Sequence, residues 1–347
     1  MTQPTVTVVV PVRNGTGVLP LCLEAMKTQT YPADRFEVIV IDDESTDGTA
    51  KMVEDMAEQW VAEGVKTRLR LIRKPWGGAG AARNRGVEEG SGQVVLFTDA
   101  DCEPVSNWIE EMMKPLEDPT VQAVAGGYLT KQASSVARLA QAEFEDRYRY
   151  VAKHKYVDIA FTHSAAVRRE AFIDAKGFDE RIPNNADDLE LSYRLAVAGH
   201  PIVFAPKGLV YHQHPATWVD YIKKKIGRGY WRTLVFKRYP QKLAADSYTP
   251  QTLKLQILLV GLAVLFSVGG FFLSAQLWWL AALALAVTVG TTLPFAFRMN
   301  GPLHLKLLAP VFLVVQAGAI GYGAFRGMFG RIEHYEIGGR RAKVVHS

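Results

Sequence analysis

No charged residue occurs from Leu255 to Phe297, and none from Leu307 to Phe325. A helix that crosses a bilayer needs ~20 apolar residues, so the first run has room for two crossings and the second for one. The averages conceal this. Hydrophobic residues make up 48% and charged residues 22%, as in an ordinary soluble protein, because most of the charge lies before residue 250. A disordered chain, which needs low hydrophobicity and high net charge, is excluded. The pattern predicts a globular domain over 1–217, a basic amphipathic interfacial segment over 218–250, two or three transmembrane helices over 251–327 and a basic tail over 328–347. A break between the first two spans falls near Ser274-Ala275-Gln276, and Trp278 and Trp279 fit an interfacial belt. Three spans starting inside would put the tail outside, whereas Arg326, Arg331, Arg340, Arg341 and Lys343 against Glu333 and Glu336 favour inside; the side of the tail stays open.

The formal net charge is +5, but its distribution says more. Between Tyr221 and Lys242 stand Lys223, Lys224, Lys225, Arg228, Arg232, Lys237, Arg238 and Lys242 with no acid among them, interleaved with Tyr230, Trp231, Phe236 and Tyr239. Just before an apolar run, this predicts a segment lying on anionic membrane lipid. No nucleic-acid-binding signature accompanies it, so no nucleic-acid partner is expected. The two cysteines, Cys22 and Cys102, read as buried thiols and not as a disulfide framework. MTQPTVTVVVP lacks a basic region followed by an apolar one and reads as a strand, not a signal peptide. The globular part is therefore expected on the cytoplasmic side of a multi-pass cytoplasmic (inner) membrane protein.

Within 1–217, β-branched apolar runs alternate with helical spacing. Strands are predicted over 5–12, 36–41, 68–72 and 93–98, with helices over 18–29, 49–63 and 81–89. Alternation of this kind predicts an α/β fold, Rossmann-like, with a mainly parallel sheet. The second half is less regular: strands over 121–127 and 202–205, helices over 133–150, 168–174 and 187–198.

Acids cluster where strands end, which is where open α/β sheets meet their ligands. Asp99-Ala100-Asp101 follows the strand QVVLFT; paired hard oxygen donors there suit Mg²⁺ or Mn²⁺. Asp42-Asp43 precedes Glu44-Ser45-Thr46-Asp47-Gly48-Thr49. Asp47 and Thr49 are in place to cap the next helix, whereas Asp42 and Asp43 come too early for that and can accept hydrogen bonds from a base or ribose. Gly77-Gly78-Ala79-Gly80-Ala81-Ala82-Arg83 is neither a dinucleotide fingerprint nor a Walker loop; its glycines permit close approach, and the Arg83 fork matches a diphosphate. Asp187 and Asp188 open an amphipathic helix, where they either serve the helix dipole or act as a base toward a hydroxyl. Glu190 and Arg194 are spaced as an ion pair on that helix. In Tyr211-His212-Gln213-His214, His212 or His214 is a candidate metal ligand, and His163 a weaker one.

Taken together these stretches resemble the family 2 glycosyltransferases, which have the GT-A fold. The resemblance runs from Val8-Val9-Val10-Pro11-Val12-Arg13-Asn14 through the segments at 41–49, 80–86 and 99–101 to Val167-Arg168-Arg169-Glu170-Ala171-Phe172, Gly177-Phe178-Asp179-Glu180 and Asp187-Asp188. It covers roughly residues 5–215. The membrane part looks like that of bacterial members that build exopolysaccharide, the succinoglycan type among them. The resemblance implies an inverting, metal-dependent enzyme that moves a sugar from a nucleoside-diphosphate sugar, with a lean to UDP, to a lipid-linked or glycan acceptor. Pro11, Val12, Arg13, Asn14, Asp42, Asp43, Arg83 and Asp99 would bind the nucleotide sugar. Asp101, assisted by Asp99 and with His212 nearby, would hold Mg²⁺ or Mn²⁺. Asp188 would be the base, with Asp187 standing where the family usually has glutamate. The Gln-x-x-Arg-Trp motif of processive synthases is absent, which favours single addition. A sugar-phosphate nucleotidyltransferase and a non-catalytic membrane assembly partner of the same fold are the alternatives.

Overall fold

The computed structural model describes residues 5–182, 186–244 and 246–331, and the backbone of 336–337 and 340–341. Much of the basic tail, and Asn185 beside the Asp187-Asp188 pair, lie outside the described residues. The chain forms two compact units, one built from residues of 1–131 and 154–213, the other from 132–153 and 214–331.

The first unit is an α/β domain. Its elements begin β1 (Val6–Val12), α1 (Leu19–Lys27), β2 (Phe36–Asp43), α2 (Thr49–Ala62), β3 (Arg68–Lys74), α3 (Gly78–Glu89) and β4 (Val94–Phe97). Then follow β5 (Glu103–Pro104), α4 (Trp108–Met113) and β6 (Ala123–Leu129). The helix α5 (Ser135–Val151) belongs to the other unit. The first unit resumes with β7 (Ala165–Arg168), α6 (Arg169–Asp174), α7 (Asp187–Val197) and β8 (Ile202–Tyr211). The strands make one sheet in the order β3-β2-β1-β4-β7-β6-β8-β5. Parallel pairings join β3, β2, β1 and β4, and β6 to β8; β7 runs antiparallel to β4 and β6, and β5 antiparallel to β8. The mainly parallel sheet is as the sequence predicts. The short strands β5 and β7 and the helix α4 were not legible, and the predicted strand 202–205 runs on to Tyr211.

β1 and β2 are buried at every position, which is why they read as continuous apolar runs. Pro11 lies in this central strand without disrupting it. β4 pairs with β1 only as far as Val9↔Phe97, so Pro11 stands beyond the stretch that is bonded on both sides. The chain steps outward from β1 to β3, then returns to place β4 on the other flank of β1. This makes the carboxyl ends of β1 and β4 a topological switch point, the place where such sheets bind ligands. Helix α3 starts at Gly78, three residues before the predicted start, and packs close on β1. A Cβ at Gly86 would lie 2.3 Å from Val9 Cγ1.

The second unit consists of α5, α8 (Trp218–Arg238), α9 (Pro240–Ala244), α10 (Gln251–Phe272), α11 (Leu277–Arg298) and α12 (Leu303–Met328). The last three are long and apolar enough to cross a membrane, and α10 and α11 are separated where the sequence predicts the break. Val136, Leu139, Tyr221, Phe295, Leu305 and Phe312 pack together in its core. The basic segment is a helix packed directly along α12. A Cβ at Gly229 would lie 2.2 Å from Ile320 O, and one at Gly323 would lie 2.1 Å from Ile226 O, the close backbone approach that small residues allow between apolar helices.

Gly86→Val drives a branched side chain into Val9 and should destabilise the first unit by roughly 1–3 kcal/mol, the usual cost of overpacking. A fall in the urea midpoint of the sheet domain, followed by tryptophan fluorescence, is the check.

Candidate active site

The rim of the site is built from two loops stitched together. Asn14 has a left-handed backbone, φ 53°, and its amide donates to Ser45 Oγ at 2.8 Å while its Oδ1 accepts from Thr46 N at 2.8 Å. Gly15 N donates to Thr49 Oγ1 and Thr16 N to Asp47 Oδ2. Asp47 also accepts from Thr49 N, the local role anticipated for it. The residues after β1 and after β2 are thus held as one surface. Arg13 lies over the ring of Trp76, 5.5 Å from its centroid.

The Asp42-Asp43 pair divides in two. Asp43 accepts from Lys74 Nζ at 2.8 Å, Gly77 N at 2.9 Å and Gly78 N at 2.8 Å. Its carboxylate anchors the start of α3, where the helix dipole favours an anion. Asp42, 1% exposed, accepts from Ser45 N through Oδ1, but its buried Oδ2 has no hydrogen-bond partner. The Arg73 guanidinium stands 3.7 Å from that oxygen. A buried carboxylate oxygen left without a donor is costly.

Arg83 is the centre of the charged site. It is 4% exposed; Nη1 donates to Asp187 Oδ2 at 2.8 Å and Nη2 to Asp99 Oδ1 at 2.7 Å. Both terminal nitrogens are committed to carboxylates, where the sequence reading has the fork facing a diphosphate. Burial works against the guanidinium charge, and Asp99 and Asp187 more than restore it. Burial likewise opposes ionisation of Asp99, yet the Arg83 charge, with His212 and His163, holds its carboxyl below the ordinary value. Asp187 stays raised, chiefly by burial. Asp188, half-buried, is pushed up to about 7 by burial and then by the Asp187 charge beside it. Glu190 and Arg194 form the anticipated ion pair.

Asp101 stands at the open side of the same strand end. Its Oδ2 lies 3.4 Å from His212 Nδ1, and ligand atoms of Asp101, Cys102 and His212 all fall within 4.8 Å of one another. Oxygen and imidazole donors at this spacing suit a divalent cation. The rings of His163 and His212 stack at 6.3 Å and 8°, and Tyr128 meets both edge-on. The sequence marks His163 only as a weaker candidate and carries no signal for Tyr128; β6 and the segment before β7 bring them here. His214 goes elsewhere. It belongs to the second unit, where its ring nitrogen Nε2 lies 2.9 Å from Gln141 Oε1. Cys22 and Cys102 are free and buried, as expected.

Two family models match: glycosyl transferase family 2 over residues 7–175 and glycosyl transferase family group 2 over residues 94–315. The second spans more than half of the chain. The chain belongs to glycosyltransferase family 2. Among its relatives, glycosyltransferase AglE of Haloferax volcanii is 30% identical over 235 residues, covering 66% of this chain and 73% of the relative. The pre-mycofactocin glycosyltransferase of Mycobacterium tuberculosis is 29% identical over 311 residues, covering 88% of this chain but 60% of the relative. Among solved structures, the mannosyltransferase PcManGT from Pyrobaculum calidifontis, in complex with GDP-Man and Mn²⁺, superposes with a TM-score of 0.62 at 22% identity, covering 95% of this chain and 88% of that one. At that identity it shows the GT-A fold, which this glycosyltransferase shares.

Replacing Arg83 by methionine leaves the buried Asp187 and the half-buried Asp99 without their counter-charge. The loss should be about 3–5 kcal/mol, the range for breaking a buried ion pair from one side, read as a lowered denaturation midpoint of the purified protein.

Proposed function

We propose that this glycosyltransferase moves a sugar from a nucleoside-diphosphate sugar, with UDP as the leading candidate, to a hydroxyl of a lipid-linked or glycan acceptor, with inversion at the anomeric carbon. The observation that carries the reading is the bridge Asp99–Arg83–Asp187. It joins the acidic end of β4 and the start of α7, from separate parts of the chain, at the switch point.

Each residue has a task under this reading. Asp42 Oδ2 takes a hydrogen bond from the base or ribose, and Pro11, Val12, Arg13 and Asn14 line the same pocket. Asp43 acts one step removed, by setting where α3 begins. Asp101 and His212, with Asp99 close by, would hold Mg²⁺ or Mn²⁺, which would supply positive charge against the leaving diphosphate. Arg83 keeps Asp99 and Asp187 in place and lends its charge to the site. Asp188 receives the acceptor's hydroxyl proton as the new glycosidic bond forms and the C1–diphosphate bond breaks. A carboxylate raised toward neutrality is a better base than an ordinary one and is still largely ionised at mildly alkaline pH. Asp187, bound to Arg83, is the supporting acid of the pair.

The apolar helices α10, α11 and α12 anchor the enzyme in the cytoplasmic membrane, with the sheet domain on the cytoplasmic face and the exposed cations Lys223 and Arg238 of α8 toward lipid headgroups. A lipid-borne acceptor, as in exopolysaccharide assembly, would meet the site there.

Purified protein in lipid, given a panel of sugar nucleotides, should release nucleoside diphosphate only with a divalent cation present. Asp188→Asn and Asp101→Asn should each remove transfer, the first without loss of folded stability, since it neutralises a group whose charge is penalised. Full activity in both variants would overturn the mechanism. Because Asp188 works deprotonated, kcat should climb with pH through about 7 and level off above it; a rate flat from pH ~5 to ~9 would remove Asp188 from the role.

A further inference from the structure

The cation site carries a ligand that the transfer reaction does not need. Asp101 and His212 are hard and borderline donors, sufficient for Mg²⁺ or Mn²⁺. Cys102, 1% exposed, places its Sγ 4.0 Å from Asp101 Oδ1, and the three residues present ligand atoms within 4.8 Å of one another. Around tetrahedral Zn²⁺, with bonds of about 2.0 Å to oxygen and nitrogen and about 2.3 Å to sulfur, ligand atoms sit about 3.3–3.7 Å apart. The separation of 3.4 Å between Asp101 Oδ2 and His212 Nδ1 is already in that range, and the thiol, 4.0 Å from the other carboxylate oxygen, must move closer to join it.

We propose that Asp101, Cys102 and His212 form a mixed oxygen, sulfur and nitrogen site at which a thiophilic divalent cation, Zn²⁺ or Cd²⁺, binds through a Cys102–metal bond and displaces the Mg²⁺ or Mn²⁺ used for transfer. This rests on the reading above that Asp101 and His212 hold the working cation. The chemistry is substitution without redox change: the Cys102 S–H proton passes to solvent as the sulfur–metal bond forms. The order of affinities for first-row ions favours Zn²⁺ over Mn²⁺, and thiolate widens the gap because Mg²⁺ and Mn²⁺ prefer oxygen. A protein ligand also takes up a coordination position that a diphosphate oxygen would otherwise use. Soft ions at this site therefore inhibit the enzyme by a route that Mn²⁺ in excess reverses.

The test uses the full chain in lipid nanodiscs. Cd²⁺ is titrated and the thiolate-to-metal charge-transfer absorption is followed, while Mn²⁺ binding is read by electron paramagnetic resonance. The wild type should develop the absorption band at one equivalent of Cd²⁺ and release bound Mn²⁺ as it does so. Cys22→Ala should keep the band. Cys102→Ala, and Cys102→Ser as a second variant, should lose it while still binding Mn²⁺, and their Cd²⁺ affinity should fall by more than the roughly 10–100-fold that loss of an outer-shell partner costs. Retained Mn²⁺ binding also shows that these variants fold. Mn²⁺ binding with no Cd²⁺–thiolate band, or a band lost in Cys22→Ala and kept in both Cys102 variants, overturns the proposal and leaves the transferase reading intact. A Cys102-dependent band without any Mn²⁺ binding supports the thiophilic site and overturns the assignment of the working cation instead.

Discussion

Two carboxylates and one guanidinium organise the catalytic domain. Arg83 is drawn out of water on α3 and meets Asp99, just past β4, and Asp187, at the start of α7. Arg83 and Asp187 are buried and Asp99 is half-buried, and the charge of Arg83 or Asp187 buried alone would be prohibitive. Each is tolerable only if all three arrive together, so the bridge admits one arrangement of three distant segments. Such a network contributes position more than stability. It also sets the electrostatics around it: Asp99 is held ionised, and the acid beside Asp187 is left to carry the cost of a second negative charge. Asp188 is raised by burial and by the Asp187 charge, and the Arg83 guanidinium only partly offsets this.

The bridge depends on where α3 begins, and that is decided by another acid. Asp43 accepts the amides of Gly77 and Gly78 and the ammonium of Lys74, while Gly78 adopts φ 86°, a conformation glycine takes without strain. With that start secured and Gly86 lying against Val9, Arg83 has one place to go. The sheet contributes the rest. Its strand order reverses at β1 and β4, so the carboxyl ends that carry Asn14 and Asp99 open side by side.

The helical unit solves a related problem with other means. Its basic helix α8 would repel itself if its charge were left together, and Lys225 on the buried face would be untenable alone. Glu143 on α5 accepts from Lys225 at 2.7 Å and from Arg147 at 2.6 Å. Burial would raise that carboxyl, but the cations around it hold it down to about 2, and burial pushes Lys225 down to about 7. Asp246 does the same for Arg232, at 3.3 Å. The glycines at 229 and 323 then let the backbones of α8 and α12 touch. The basic segment is therefore part of a helical bundle as well as a charged face.

Local pattern determined a good deal. The apolar runs announced β1, β2 and β4 because strands buried on both faces have no polar side to show, and the uncharged stretches announced α10, α11 and α12 because each run is long and apolar enough for a helix that could cross a membrane. The acids at strand ends were visible for the same reason, as charges placed where burial ends. What only the tertiary structure decided was the partner of each charge. Nothing near Arg83 in sequence names Asp187, 104 positions away, and nothing near Lys225 names Glu143, 82 away. Nor does Asp42-Asp43 reveal which acid turns to the helix start and which keeps a buried oxygen without a donor. His212 and His214 look alike in the sequence, yet one reaches Asp101 and the other Gln141. Periodicity records which face of an element is dry. Pairing depends on which elements come together, and for charges that meet across a fold that information exists only once the chain has closed.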